Sequence, residues 1–179
     1  AGMREMLVEQ RDVFYYVTMM NENYAQPDLP ADAHAGVLRG CYVFGSYGPA
    51  PAAGVQAVTL LGSGAILNEV IRAAEQLAAA GVAATVISVT SWSELAREGV
   101  ACEAEPGRLP WLAQVLAGTQ GPVIAATDYV RAVPESVRAF MPEGRRYVTL
   151  GTDGFGRSDT RAALRAHFGV DAAAVLQVA

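Results

Sequence analysis

The side chains able to do chemistry are few and widely spaced. Two cysteines, Cys41 and Cys102, and two histidines, His34 and His167, are the chain's only thiols and imidazoles. No CxxC or zinc spacing joins them, so they read as reduced, partly buried thiols and satisfied histidines. All 13 basic residues are arginine. The absence of lysine removes the P-loop lysine, a lysine Schiff base and a lysine general base. No G-x-S-x-G elbow, HExxH or EF-hand occurs. A Ser–His–Asp triad using His34 or His167 stays open, although His167 sits in an amphipathic helix pattern that suits a surface or boundary histidine.

Three segments remain. Gly62-Ser63-Gly64 closes an apolar run and opens a helix pattern, as a dinucleotide fingerprint would. Its third glycine position holds Leu67 and no acidic residue follows the next strand, so the segment reads as a tight turn with Ser63 as helix cap. An anion at that helix start is still physically open. Residues 151–156 hold three glycines and are followed by Arg157, Ser158 and Asp159. They serve equally as a binding loop or as a locally capped turn. Glu22, in Asn21-Glu22-Asn23-Tyr24, follows an apolar run and would stand at the C-terminal end of a strand, where open α/β sheets bind ligands. Composition alone reads it as a solvated loop residue.

The elements that must position these groups follow from pattern. Residues 3–11 have helical composition. Residues 13–20, Val-Phe-Tyr-Tyr-Val-Thr-Met-Met, are expected to form a buried strand. The polar segment 21–32, with Pro27 and Pro30, is the best domain boundary. A turn of helix over 33–38 and a short strand over 41–44 come next. From residue 55 the pattern is regular. Strands are expected at 58–61, 84–89, 122–126 and 147–150.

Between the strands lie amphipathic helices. One carries Ile66, Leu67, Val70, Ile71 and Ala74 on one face and stops at Gly81. A second opens at Ser91 with Glu94 as a capping box. A third spans 111–116. A fourth, capped by Thr127 or Asp128, shows Val130, Val133, Val137 and Phe140 on one face. Ser158 is expected to cap a helix ending at Gly169, and Asp171 a last one that looks cut short. Near-continuous apolar strands alternating with such helices imply a three-layer α/β/α sandwich around a mostly parallel sheet.

Composition sets the outer bounds. A chain of 179 residues that is 52% hydrophobic and 17% charged can bury a sizeable core, which excludes intrinsic disorder. The net charge of −5 and a pI near 5.0 argue against nucleic-acid and anionic-membrane binding. The uncharged stretch 40–68 is interrupted by glycine and proline before roughly 18 continuous apolar residues accumulate, so it is no membrane span. The charged N-terminus is no signal peptide, and a cytoplasmic location is expected. The alanine, glycine and arginine bias fits a GC-rich bacterial genome.

Longer strings carry a resemblance. Val13-Phe14-Tyr15-Tyr16-Val17-Thr18-Met19-Met20-Asn21-Glu22-Asn23-Tyr24 with Gln26-Pro27, then Leu61-Gly62-Ser63-Gly64-Ala65-Ile66-Leu67, Ser88-Val89-Thr90-Ser91 and Glu94-Leu95-Ala96-Arg97 resemble the homodimeric bacterial pyruvate dehydrogenase decarboxylating component. Leu150-Gly151-Thr152-Asp153-Gly154-Phe155-Gly156-Arg157-Ser158-Asp159 completes the match, which covers essentially the whole chain in order. More distantly, the strand–Gly-Ser–helix unit and Phe155-Gly156-x-Ser158 resemble the transketolase C-terminal domain.

The resemblance implies a C-terminal piece of a subunit several times longer. Residues 1–35 would be the end of a pyrimidine-binding domain and its linker, and 36–179 a C-terminal domain truncated at its last helix. The implied sheet is mixed and five-stranded, with one antiparallel strand. The implied chemistry is oxidative decarboxylation of pyruvate with thiamine diphosphate and magnesium. The two-carbon unit passes to a lipoyl group of the dihydrolipoyl acetyltransferase component, and the subunit works as a homodimer.

In the family the diphosphate, magnesium and aminopyrimidine contacts come from upstream domains. No cofactor-binding or metal-binding residue is therefore expected here, and the piece alone is expected to be inactive. Glu22 matches a family glutamate near the active centre and is the one catalytic candidate. Ala25 stands where some members have a histidine, and residues 153–159 match the family without an assigned role. Two other readings stay open: the same domain of a transketolase or another 2-oxo-acid dehydrogenase, and a non-catalytic module for dimerisation or partner binding.

Overall fold

The structure is a computed structural model that describes residues 1–179. Five strands, β1 (Cys41–Tyr47), β2 (Ala57–Ser63), β3 (Ala83–Val89), β4 (Val123–Ala126) and β5 (Tyr147–Leu150), form one sheet in the order β1-β3-β2-β4-β5. The β2, β3, β4 and β5 neighbours pair in parallel, while β1 runs antiparallel to β3, with Cys41 opposite Val89 and a bulge between Val43 and Gly45. The mixed five-stranded expectation holds.

The helices are α1 (Gly2–Leu7), α2 (His34–Leu38), α3 (Ile66–Ala79), α4 (Trp92–Glu103), α5 (Trp111–Ala117), α6 (Ala132–Glu135), α7 (Arg161–Phe168) and α8 (Ala172–Val178), with a 3₁₀ turn at Arg138–Phe140.

Two-residue periodicity explains why the central strands are largely apolar on both faces. Leu60, Val86 and Ile124 point to one face, where they meet Ile66, Val70 and Ala74 of α3 and Val175 of α8. Leu61, Ile87 and Ala125 point to the other, against Trp92 and Leu95 of α4, Leu112 and Leu116 of α5, and Phe140. Each face seals its own core, so no strand position from 58 to 61 can be polar without a partner. The polar exception, Thr59, donates to the Gln120 carbonyl at 3.0 Å and accepts from Arg145.

Local signals at the helix ends behave as their chemistry demands. Ser91 Oγ accepts from Glu94 N at 3.1 Å, and Asp171 Oδ1 accepts from Ala174 N at 2.9 Å. Gly169 ends α7 at φ 65°, the left-handed conformation that glycine adopts without a Cβ penalty.

Six expectations fail. Residues 13–20 form no strand, and no backbone–backbone hydrogen bond involves residues 14–29. Phe14, Tyr16 and Met19 are 87%, 86% and 89% exposed. A strand needs a neighbour for its ladder and cover for its faces, and no other segment of residues 1–179 provides either. The helix over 130–140 is instead α6 followed by the 3₁₀ turn, because Pro134 donates no backbone hydrogen bond and holds α6 to four residues. Val137 and Phe140 are nevertheless buried, as the pattern required.

The caps at three helices also differ. Thr160, not Ser158, caps α7, with Oγ1 accepting from Ala163 N at 3.3 Å. Ser63 does not cap α3, which starts after Ala65, because its hydroxyl is taken up by Thr127. Thr127 and Asp128 cap no helix either, since α6 begins only after Arg131. The helix over 3–11 is shortened to α1, which buries no residue. No helix is long and apolar enough to cross a membrane.

Candidate functional site

The chain reverses its direction of travel across the sheet between β2 and β4. From β2 it crosses through α3 to β3 on one side, then returns through α4 and α5 to β4 on the other. The carboxyl ends of β2 and β4 are therefore a topological switch point, where open sheets leave a crevice. Here Ser63 Oγ and Thr127 Oγ1 share a buried hydrogen bond of 2.7 Å. Thr127 Oγ1 also accepts from Tyr129 N at 3.3 Å, which turns the chain sharply after β4.

That turn exposes part of Asp128. Burial pushes its carboxyl above the usual carboxylate range, opposed by its own backbone N–H and by the positive charge of Arg165.

The glycine-rich loop after β5 is stapled to this turn. Thr152 donates its hydroxyl to the Asp128 carbonyl at 2.7 Å and its N–H to the Tyr129 carbonyl at 2.9 Å. Arg131 donates its backbone N–H and Nε to Asp153 at 2.9 and 2.6 Å, and these bonds hold the Asp153 carboxyl below its ordinary value. Gly151 makes the approach possible, since a Cβ there would lie 2.7 Å from the Tyr129 carbonyl oxygen. The loop acts as a locally fixed turn, and Phe155 at its tip is almost fully exposed.

The N-terminal segment crosses the same edge. Thr18 and Tyr129 share a hydroxyl–hydroxyl bond of 2.5 Å. Arg161 donates to the Asn21 carbonyl and lies 3.7 Å from Glu22 Oε2. Arg165 Nη2 donates to the same Oε2 at 2.5 Å. Through Nη1 it also reaches Glu69 Oε1 at 3.3 Å. Glu69 is itself held by Arg72 at 2.7 Å and by the Ala172 N–H at 3.3 Å.

Glu22 is thus close to the sheet's carboxyl edge, as expected, but not at the end of a strand. It is docked by two arginines of α7. Oε2 is committed, and no protein hydrogen bond reaches Oε1. Such a carboxylate can orient a donor or accept a hydrogen bond from a group placed beside it.

The remaining candidates do not converge. Cys41 and Cys102 are free and buried, and burial pushes the Cys41 thiol up to about 12. His167 stacks edge-on against Phe168 at 4.9 Å and His34 opens α2, so neither joins a serine and a carboxylate. No three His, Cys, Asp or Glu side chains gather as a metal shell. Ala25 is exposed and contributes no polar side-chain group. Arg165, Glu69 and Asp128 are the site residues that sequence reasoning missed. Only the Glu69–Arg72 spacing of three hinted at a charge pair, and a helix arginine carries no local mark of a partner 143 positions away.

Comparison with known proteins agrees with this architecture. The family profile described as "Transketolase-like TK C-terminal domain" matches residues 40–171. Proteins named "Pyruvate dehydrogenase E1 component" are 46% identical over 178 residues in Pseudomonas aeruginosa and 47% over 178 residues in Cupriavidus necator. Each alignment covers 95% of this chain, and respectively 20% and 19% of the relative. The Escherichia coli protein of that name is 44% identical over 191 residues, covering 99% of this chain and 20% of its own length. The chain therefore spans about one fifth of these relatives.

Among solved structures, transketolases from Leishmania mexicana and Campylobacter jejuni each superpose with a TM-score of 0.52. They are 20% and 19% identical, over 80% and 79% of this chain and 18% of each transketolase. At that identity the likeness is one of fold. A profile matching most of the chain, on a mixed five-stranded sheet shared with transketolases, shows that the chain belongs to the transketolase-like C-terminal domain family.

Proposed function

We propose that this chain is the C-terminal part of a pyruvate dehydrogenase decarboxylating subunit. The observation that carries the reading is the 44–47% identity, maintained along at least 95% of the chain, to proteins of that name. The whole subunit would decarboxylate pyruvate oxidatively with thiamine diphosphate and magnesium, and acetylate the lipoyl group of the dihydrolipoyl acetyltransferase component. It would work as a homodimer in the cytoplasm. Residues 1–35 would close the pyrimidine-binding domain and linker, and 36–179 would form the C-terminal domain.

The chain's own residues do not fit the cofactor. No three His, Cys, Asp or Glu side chains gather as ligands for magnesium. In this reading the diphosphate and magnesium contacts come from the upstream domains, and the isolated chain is structural and inactive. Its contribution is Glu22, whose Oε1 is available to orient a reacting group at the sheet's carboxyl edge.

The test uses the intact parent polypeptide. Carbon dioxide release and ferricyanide reduction from pyruvate should require both thiamine diphosphate and magnesium. Glu22→Gln should slow turnover by about 10²-fold, the order lost when a reacting group is misplaced, with the melting temperature kept. Turnover on sugar phosphates or another 2-oxo acid, with none on pyruvate, would replace pyruvate as substrate. Unchanged kinetics in Glu22→Gln would remove the catalytic assignment.

A further inference from the structure

We propose that Arg165 is the positioning residue of Glu22, a guanidinium clamp that sets where this carboxylate stands. The proposal rests on the reading of Glu22 as the chain's contribution to an active centre. Arg161 and Arg165 are four residues apart, so both project from one face of α7 toward residues 21 and 22. They are not equivalent. Arg161 reaches a backbone carbonyl and stays 45% exposed, whereas Arg165 is 16% exposed and divides its guanidinium between Glu22 and Glu69.

The rear half of the clamp is rigid. Glu69 is 8% exposed, rises from the first turn of α3, and accepts from the first residue of α8 and from Arg72. Its carboxylate is thereby fixed to two helices that pack on the sheet. A planar guanidinium with one arm on that anchor presents its other arm in one direction, which a lysine point charge cannot do. Asp128, across the switch point, also feels the positive charge of Arg165, while Arg161 and Arg72 share the Glu22 and Glu69 carboxylates with it.

The front half has little else to hold it. Residues 14–29 make no backbone–backbone hydrogen bond, so the path of this segment depends on side-chain tethers. Thr18 to Tyr129 and Arg161 to Asn21 locate the backbone. Only Arg165 grips the Glu22 carboxylate at hydrogen-bond distance, and it does so through Oε2, leaving Oε1 for the reacting group. Without Arg165 the carboxylate would keep only the longer, 3.7 Å contact with the more exposed Arg161.

The experiment uses the full-length parent enzyme with thiamine diphosphate and magnesium. It compares Arg165→Met, Arg165→Lys, Glu22→Gln and the double variant Glu22→Gln/Arg165→Met. Arg165→Met should lower kcat about 10-fold or more with little change in KM for pyruvate, and Arg165→Lys should recover part of the loss. The double variant should be no slower than Glu22→Gln, because a residue that acts through Glu22 has nothing left to position. Losses that multiply in the double variant would overturn the proposal, since they would mean that Arg165 acts independently as a strut between α3 and α7. Normal turnover in Arg165→Met alongside a slow Glu22→Gln would overturn it too, while sparing the role of Glu22. Wild-type turnover in Glu22→Gln would remove both readings. If Arg165→Met does not fold, Arg165→Lys alone and combined with Glu22→Gln yields the same comparison.

Discussion

Residues 13–20 and the strand β2 are both runs of residues that favour extended structure, yet only one of them is a strand. β2 has a parallel neighbour on each side, from Ala57 opposite Ala83 to Gly62 opposite Ala126. Its side chains enter two separate cores. Residues 13–20 are richer in aromatic and β-branched side chains but have neither a ladder nor a cover. Propensity of this kind measures how well a residue fits a pleated, half-buried surface, and it produces nothing where that surface is missing. The contrast extends to function. The segment without its own structure carries Glu22, and the well-built sheet contributes the residues that hold it.

The sharpest way to break this comparison is to truncate an apolar side chain in each region. Leu60→Ala, in a fully buried position, should cost about 2–5 kcal/mol in a denaturant titration. Val17→Ala, where the side chain is largely exposed, should stay within about 0.5 kcal/mol in the same experiment. Equal losses would mean that residues 13–20 are packed after all.

A medium effect tests whether local chemistry counts where the sheet supports it. Ser91→Ala removes the hydroxyl that receives Glu94 N and should lower stability by about 1 kcal/mol, read as a shift in the urea midpoint. No shift would mean that the β3-to-α4 turn is held by packing alone.

The smallest effect concerns the staple beneath the N-terminal segment. Bonds from Arg131 depress the Asp153 carboxyl in the folded state, so its stabilising contribution is present above the unfolded value of about 3.9 and disappears as pH falls through the depressed folded value. Asp153→Asn should lower the melting temperature slightly at pH 7, and the gap should close toward pH 3. A gap that persists at low pH would assign the effect to loop geometry instead of charge. Asp153 is exposed, so only a small difference is expected.

Much of the fold was legible from pattern. The runs at 58–61 and 84–89 match β2 and β3 because strands covered on both faces are apolar at most positions, with Thr59, Thr85 and Ser88 as the polar ones. Ser91, Gly169 and Asp171 announce helix ends because their chemistry acts within three residues. The antiparallel direction of β1 was not legible from periodicity, which is the same for either direction, and only the family resemblance supplied it. Ser158, Asp159 and Thr160 all carry cap-forming side chains before α7, so the sequence does not single out Thr160 as the cap. The site was legible only in part. Glu22 stood out through its motif, but Arg165 looked like any arginine on an amphipathic helix.

What the sequence determined alone is therefore what local rules can carry: a sheet covered on both faces, the periodic faces of α3 and α4, the caps at Ser91 and Asp171, and a chain without lysine. Tertiary structure decided the rest. Residues 13–20 lost their expected strand because no ladder or core reached them. Ser63 bonded Thr127 instead of capping α3. Glu22 found Arg165, and through it Glu69, across 143 and 96 positions of sequence. Pairings at such separations depend on how layers stack, and stacking leaves no periodic trace in the segments it joins.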